Sequence, residues 1–197
     1  MSSKILVDEI APKTTGGAVK GASNVLETIP MLCDGGSYTG ISGTYTPTNV
    51  TAAQPLTTTY TDLNGSVIDY TPPTGTVTVV YEFTMLHSVI DAHAIGHYKF
   101  FIDGTEVTNA RKNVATSGNP EIPVVMRYII PIGGTADSAT GRQASWSGAK
   151  TLKMQGREYG SSNEATLFVT QYWDGAGSAQ FSQPTLTITA IGSAYNG

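Results

Sequence analysis

Charge is what this 197-residue sequence has least of: charged residues make up 13% of it, about half of the roughly 25% usual in a soluble domain. With 11 Lys and Arg against 15 Asp and Glu, and a formal net charge of -4, it lacks the clustered cations that neutralising phosphates requires. That argues against nucleic-acid binding and genome packaging. Cysteine is nearly absent. Cys33 stands alone and cannot form an intrachain disulfide, so stability has to come from packing or from neighbouring chains, as expected of cytosolic synthesis followed by assembly. Long apolar runs are missing as well. The opening Met1-Ser2-Ser3-Lys4-Ile5-Leu6-Val7-Asp8-Glu9-Ile10 has no secretion-type core, and no later stretch is long and apolar enough for a bilayer, so no membrane insertion is expected. No segment shows a convincing helical period.

Hydroxyls and glycine replace the missing charge. The 28 Thr and 22 Gly suit pleated strands joined by tight turns. From Thr76 onward the pattern is clear: Val77, Val79, Tyr81, Phe83 and Met85 alternate with Thr78, Glu82 and Thr84, the period of a half-buried strand. Tyr98, Phe100 and Ile102 line one face of the next strand. Asp103-Gly104 then separates them from Thr105-Glu106-Val107, which predicts a two-residue hairpin turn with positive backbone angles. Further strands are expected at Ile122 to Ile132, Lys150 to Gln155, Ala165 to Trp173 and Thr185 to Ile191. The tract from Asp34 to Thr61, interrupted by Pro47 and Pro55, reads as short strands and loops.

The first thirty or so residues differ. Ile5, Leu6, Val7 and Ile10 lack enough local sequence to bury them, so residues 1–33 read as an extended attachment segment ordered by partner contacts. Residues 34–197 read as a β-sandwich domain. Ile122, Val124, Met126, Tyr128, Ile130 and Ile132 face one way, yet Val125 and Ile129 supply apolar groups to the other face. Apolar residues on both faces fit either a doubly buried strand or a subunit interface. On the second reading Val125, Ile129, Phe168 and Tyr172 are candidates for a trimer interface.

The stretch Ser3-Lys4-Ile5-Leu6-Val7-Asp8-Glu9-Ile10-Ala11-Pro12-Lys13-Thr14 resembles the short N-terminal sequence of small fibre-like and other structural proteins of marine phages, particularly cyanophages. Tyr70-Thr71-Pro72-Pro73-Thr74-Gly75, the strand Val77 to Met85, and His97-Tyr98-Lys99-Phe100-Phe101-Ile102-Asp103-Gly104-Thr105 look like the distal β domains of those proteins. The resemblance implies an antiparallel jelly-roll-like sandwich similar to the tumour-necrosis-factor and C1q-like class, trimerisation and a place on the virion. It brings no invariant functional residue. A tail-fibre-like appendage held by Ile5, Leu6, Val7 and Ile10 and a capsid decoration protein are both structural roles that fit, and they differ in location alone.

Chemistry is sparse. His87, His93 and His97 fall in one strand-loop-strand span, but spacing of four brings imidazoles together on a helix and not here, so no metal is expected. No G-x-S-x-G elbow, H-E-x-x-H helix or phosphate-cradling loop is present. The acids are scattered, and neither catalysis nor a cofactor is expected, leaving a depolymerase as the outlying alternative. Trp146, in the long polar stretch Gly133 to Gly148, and Trp173-Asp174 beside glycines are the candidates for stacking on a host glycan. The competing reading packs both indoles inside the sandwich.

Overall fold

The computed structural model describes residues 25–89, 93–118, 121–173 and 178–193, with only the backbone described at residues 89, 171–173 and 178. Two antiparallel layers of six strands each form among the described residues, and eight of the strands make their framework. They are β1 (Val25–Leu32), β2 (Ile68–Tyr70), β3 (Thr76–Val89), β4 (His93–Ile102), β5 (Lys112–Ser117), β6 (Glu121–Pro131), β7 (Lys150–Glu158) and β8 (Thr185–Gly192). Sheet I runs β1-β8-β3-β6 and sheet II runs β5-β4-β7-β2. In chain order β1, β3, β6 and β8 go to sheet I, and β2, β4, β5 and β7 go to sheet II. That winding between two layers is the jelly roll.

Side-chain alternation decides which face of each strand is buried. Tyr81, Phe83 and Met85 of β3, Met126 and Ile130 of β6, and Leu186 and Ile188 of β8 point inward from sheet I. Tyr98 and Phe100 of β4 and Leu152 and Met154 of β7 meet them from sheet II. Large inward rings leave little room for backbone beside them. A Cβ at Gly96 would lie 2.5 Å from the Tyr98 hydroxyl oxygen, and one at Gly156 would lie 2.8 Å from Leu63 Cδ2. Glycine at these two positions lets the rings fill the layer.

The Asp103-Gly104 turn forms as expected, with φ of 48° and 75°, between β4 and the short strand Thr105–Glu106. Two boundaries are corrected. Val25–Leu32 is not part of an attachment segment, because it pairs with β8 along its length and buries Ile29 and Met31. Its inward Glu27 and its Pro30 broke the apolar alternation in the sequence, although Pro is well tolerated on an edge strand such as this one. The run Ala165 to Trp173 is not one strand. It divides into Ala165–Leu167, paired with β3, and Val169–Trp173, paired with Ser178–Phe181, because Phe168 adopts φ 66° between them.

Two buried ionisable groups are resolved differently. Glu27 accepts hydrogen bonds from the Tyr70 hydroxyl (2.7 Å), the Ser42 hydroxyl (2.5 Å) and the Ile41 and Ser42 amides (2.7 and 3.2 Å). Burial alone would raise its pKa, but those donors outweigh burial and hold the carboxyl below its ordinary range. His87 is fully buried. Its Nδ1 lies 2.7 Å from the Tyr98 hydroxyl and its Nε2 has no partner among the described residues. Burial pushes its pKa down to about 4.

A pH dependence follows. The unfolded chain protonates His87 below the ordinary value of 6.5, whereas the folded domain resists protonation down to about 4. The unfolded state therefore binds more protons between those values, and stability falls as pH drops through that window. The neutral histidine contributes on the order of 3 kcal/mol at pH 7 that is absent below pH 4. Thermal unfolding of the wild type from pH 7 to 4.5 is expected to show a drop in Tm that His87→Gln reduces. Equal drops in both proteins would count against His87 as the source.

Candidate interaction face

The outward faces of the two sheets differ in kind. On sheet II, Lys99 and Arg111 pair with Glu106 (3.0 and 2.5 Å), Lys150 with Asp103 (3.0 Å) and Lys153 with Asp62 (2.9 Å). Lys99 Nζ also lies 4.4 Å from the centre of the Tyr60 ring. Such a surface is at home in water.

The outward face of sheet I is built from hydroxyls and apolar groups. Register places Leu32, Thr185, Thr84 and Val125 in one row, Pro30, Thr187, Glu82 and Arg127 in the next, and Thr28, Thr189, Val80 and Ile129 in a third. Val25, Ile191, Thr78 and Pro131 form a fourth. Glu82 and Arg127 are the charged residues of these rows, and their 3.8 Å separation is the longest of the ion pairs among the described residues. Val125 is 53% exposed and Ile129 62% exposed. Because the side-chain period of a strand is two, burying Val124, Met126, Tyr128 and Ile130 obliges Val125 and Ile129 to face outward. A flat sheet face with apolar groups exposed and few charges to desolvate is the surface that protein–protein contacts use.

Other sites proposed from sequence fare differently. Phe168 is fully exposure-free, packed edge-to-face on Phe83 with centroids 6.4 Å apart, so it is a core residue and not an interface residue. Its positive φ turns it out of the strand alternation that would have placed it at the surface. Trp146 is only 8% exposed. Its indole N–H donates to the Tyr70 carbonyl (3.2 Å) and its ring meets Tyr70 edge-on at 6.1 Å, which corrects its placement as an exposed glycan platform. The polar neighbours of Trp146 hid a packing role. The side chains of Trp173, which closes its strand, and of Tyr172 are not described, and Asp174 lies outside the described residues. So do Ile5, Leu6, Val7 and Ile10.

The histidines go to separate surroundings. His87 is inside, His93 is exposed, and His97 stacks on Tyr159 with centroids 5.8 Å apart. Sequence reasoning missed Glu27 entirely, since nothing in Val25-Leu26-Glu27-Thr28 signals a carboxylate with four donors. Cys33 is buried, its Sγ 3.4 Å from the Gly65 carbonyl oxygen, and burial pushes its thiol up to about 12.

No family model and no curated protein matches the chain. Among solved structures, one titled as infectious bursal disease virus Gx strain matches 86% of this chain and 33% of that chain, at 12% identity and a TM-score of 0.40. Another, of the Gt strain of infectious bursal disease virus, matches 80% of this chain and 47% of that chain, at 10% identity and a TM-score of 0.26. The chain thus spans less than half the length of either. The jelly-roll assignment stands on the strand order given above.

The burial of Trp146 and Phe168 predicts that Trp146→Ala and Phe168→Ala each lower unfolding stability by about 3–5 kcal/mol, as truncating a large core ring does. Chemical denaturation measures this. A loss under 1 kcal/mol in either variant would mean that the ring is not held as described.

Proposed function

We propose that this protein is a non-enzymatic virion structural subunit, a tail-fibre-like appendage that trimerises through the outward face of sheet I and is held on the particle by its N-terminal segment. The observation that carries the reading is the contrast between the two outer faces. Sheet II spends its charges on ion pairs in water, while sheet I presents Val125, Ile129, Leu32 and a field of threonines around one loose pair, Glu82 and Arg127. Covering that face removes apolar area from water at roughly 25 cal/mol per Å² and desolvates few charges. A closed cyclic set of copies is how most soluble homo-oligomers satisfy such a surface. The resemblance of residues 3–14 to the N-termini of phage structural proteins supports the place on the particle. With Trp146 in the core, the glycan-binding reading keeps no residue whose side chain is described.

Light scattering after size exclusion is expected to give the mass of three chains. The double variant Val125→Asp, Ile129→Asp should shift it to one chain, with an unchanged β-rich circular dichroism spectrum. A monodisperse wild-type monomer at micromolar concentration would overturn the trimer.

The anchoring role makes a separate prediction. Deleting residues 2–20 should leave a cooperative thermal transition and abolish incorporation into particles. Normal incorporation of the deleted chain would remove the segment from the attachment role.

A further inference from the structure

Among the described residues the sandwich is open along one side. In sheet I, β6 pairs with β3 on one edge and with none of the described strands on the other, and β5 ends sheet II on the same side, where its Lys112 reaches β6. The Ile132 amide donates to the Val77 carbonyl (2.8 Å), so the even-numbered amides of β6 serve the β3 ladder and the odd-numbered ones face the open edge. Both prolines of β6, Pro123 and Pro131, fall in the odd series. They remove the outward N–H groups at the two ends, and Gln143 N–H occupies the Pro131 carbonyl (2.9 Å). What remains is a short usable edge in the middle: the amides and carbonyls of Val125, Arg127 and Ile129.

That middle is not blank. The Arg127 carbonyl accepts from Lys112 Nζ (3.4 Å), and the same ammonium lies 4.9 Å from the centre of the Tyr128 ring. Among the described residues Lys112 has no carboxylate partner. Beside it a cleft of about 350 Å³ opens between the two sheet edges, floored by Phe100, Val107, Tyr128 and Ile130 and rimmed by Lys112 and Arg127. A free strand edge, an apolar slot and two cations at its mouth together fit an extended peptide that carries apolar side chains next to acidic ones.

The chain itself contains such a peptide. Lys4-Ile5-Leu6-Val7-Asp8-Glu9-Ile10 places two carboxylates within a run of aliphatic residues. It is joined to Val25 through a stretch holding Gly16, Gly17 and Gly21. The fourteen residues between Ile10 and Val25 reach at most about 45–50 Å when extended, so the segment can leave its own domain. Within one chain it would start from Val25, on the edge of sheet I opposite to the open one, and its connection would have to cross the whole sheet to reach β6. From another copy it is free to run antiparallel, the better pairing.

We propose that the open edge of β6 receives residues 4–10 of a neighbouring copy as an added strand, with Asp8 and Glu9 meeting Lys112 and Arg127 and an apolar side chain entering the cleft. This deepens the proposed function and rests on it, by naming the partner of the N-terminal segment as another copy of the same domain. Lys112 is a positioning residue. It occupies the edge until a strand displaces it, and its ammonium is then free to pair with the incoming carboxylates.

The test uses full-length chains. Chains carrying Leu6→Cys or Val7→Cys are mixed with chains carrying Val125→Cys or Ile129→Cys and oxidised. The native Cys33, buried and with its thiol pushed up to about 12, stays out of the exchange. Disulfide-linked mixed dimers are expected at several times the level obtained with Thr58→Cys, an exposed position away from the edge. Adding Lys112→Glu to the acceptor chain should cut the yield several-fold, and Lys112→Arg should preserve it. Yields no higher than the Thr58→Cys control would overturn the proposal, and so would a doubly substituted chain, Leu6→Cys with Val125→Cys, that links only within itself. Light scattering on the same samples separates the two failures. A trimer without the cross-link removes this inference alone, and a monomer removes the proposed function with it.

Discussion

The two sheets are fixed against one another by Phe100 lying flat on Tyr128, with centroids 4.3 Å apart and planes 7° from parallel. Tyr81 closes on both, at 5.0 Å from Phe100 and 6.3 Å from Tyr128. One ring comes from each of β3, β4 and β6, so the contact ties the central strand of sheet I to its outermost strand and to sheet II at once. Aromatic pairs of this kind add about 0.5–1.5 kcal/mol beyond the area they bury. Their larger effect is on register. A one-residue slip of β6 would turn Tyr128 to solvent and carry Val125 and Ile129 inward, losing the stack and the charge-poor outer face together.

The rings also fill the space between the two sheets. The polar groups that remain inside are mostly tied to structure: Tyr81 donates to the Ser66 carbonyl (2.6 Å), the Ser66 hydroxyl to the Leu63 carbonyl (2.7 Å), and Glu27 gathers Tyr70 and the turn at Ser42. These bonds close loops onto the core of the sandwich from outside the main strands. They take the place of disulfides in a chain with one cysteine, because each leaves an unpaired buried polar group if broken, a cost of about 1–3 kcal/mol. These interior bonds are thereby committed to stability.

How much of this was legible in the sequence depended on whether a strand is recognisable by its own side chains. β3, β4, β6 and β8 were, because their inward residues are aromatic or aliphatic at every second position, and the Asp103-Gly104 turn was, because few residue pairs accept two positive φ angles. β1 was hidden by Glu27, whose partners lie at Ile41, Ser42 and Tyr70, beyond any local window. β5, with Val114 as its one large apolar residue, is a strand only because β4 lends it a ladder. Phe168 and Trp146 were misplaced for a common reason. Local pattern assigns a side chain to a face, but a positive φ in one case and a long return to Tyr70 in the other decide the direction from outside the pattern. The candidate face was half visible: Val125 and Ile129 stood out as apolar on the second side of β6, whereas the threonine columns that make a surface of them need the register of four strands.

The same register explains why an exposed edge and an apolar face coexist without obvious hazard. A long flat strand with free amides invites indiscriminate pairing. Pro123 and Pro131 silence the ends of β6, and Lys112 sits on the carbonyl at its centre, so an incoming strand has to match a short window and displace a cation. A peptide bearing carboxylates compensates that displacement, and one bearing lysines does not. In the proposed strand addition, positive charge at the centre, missing donors at the ends and an apolar slot beneath would therefore act as a filter on sequence as well as a receptor. On the adjoining face the loose Glu82–Arg127 pair would do comparable work in the proposed trimer, since two copies meeting there out of register would bury one of those charges without its partner. In the proposed assembly selectivity would thus come from a handful of charged residues, placed where the surrounding surface is nearly free of charge.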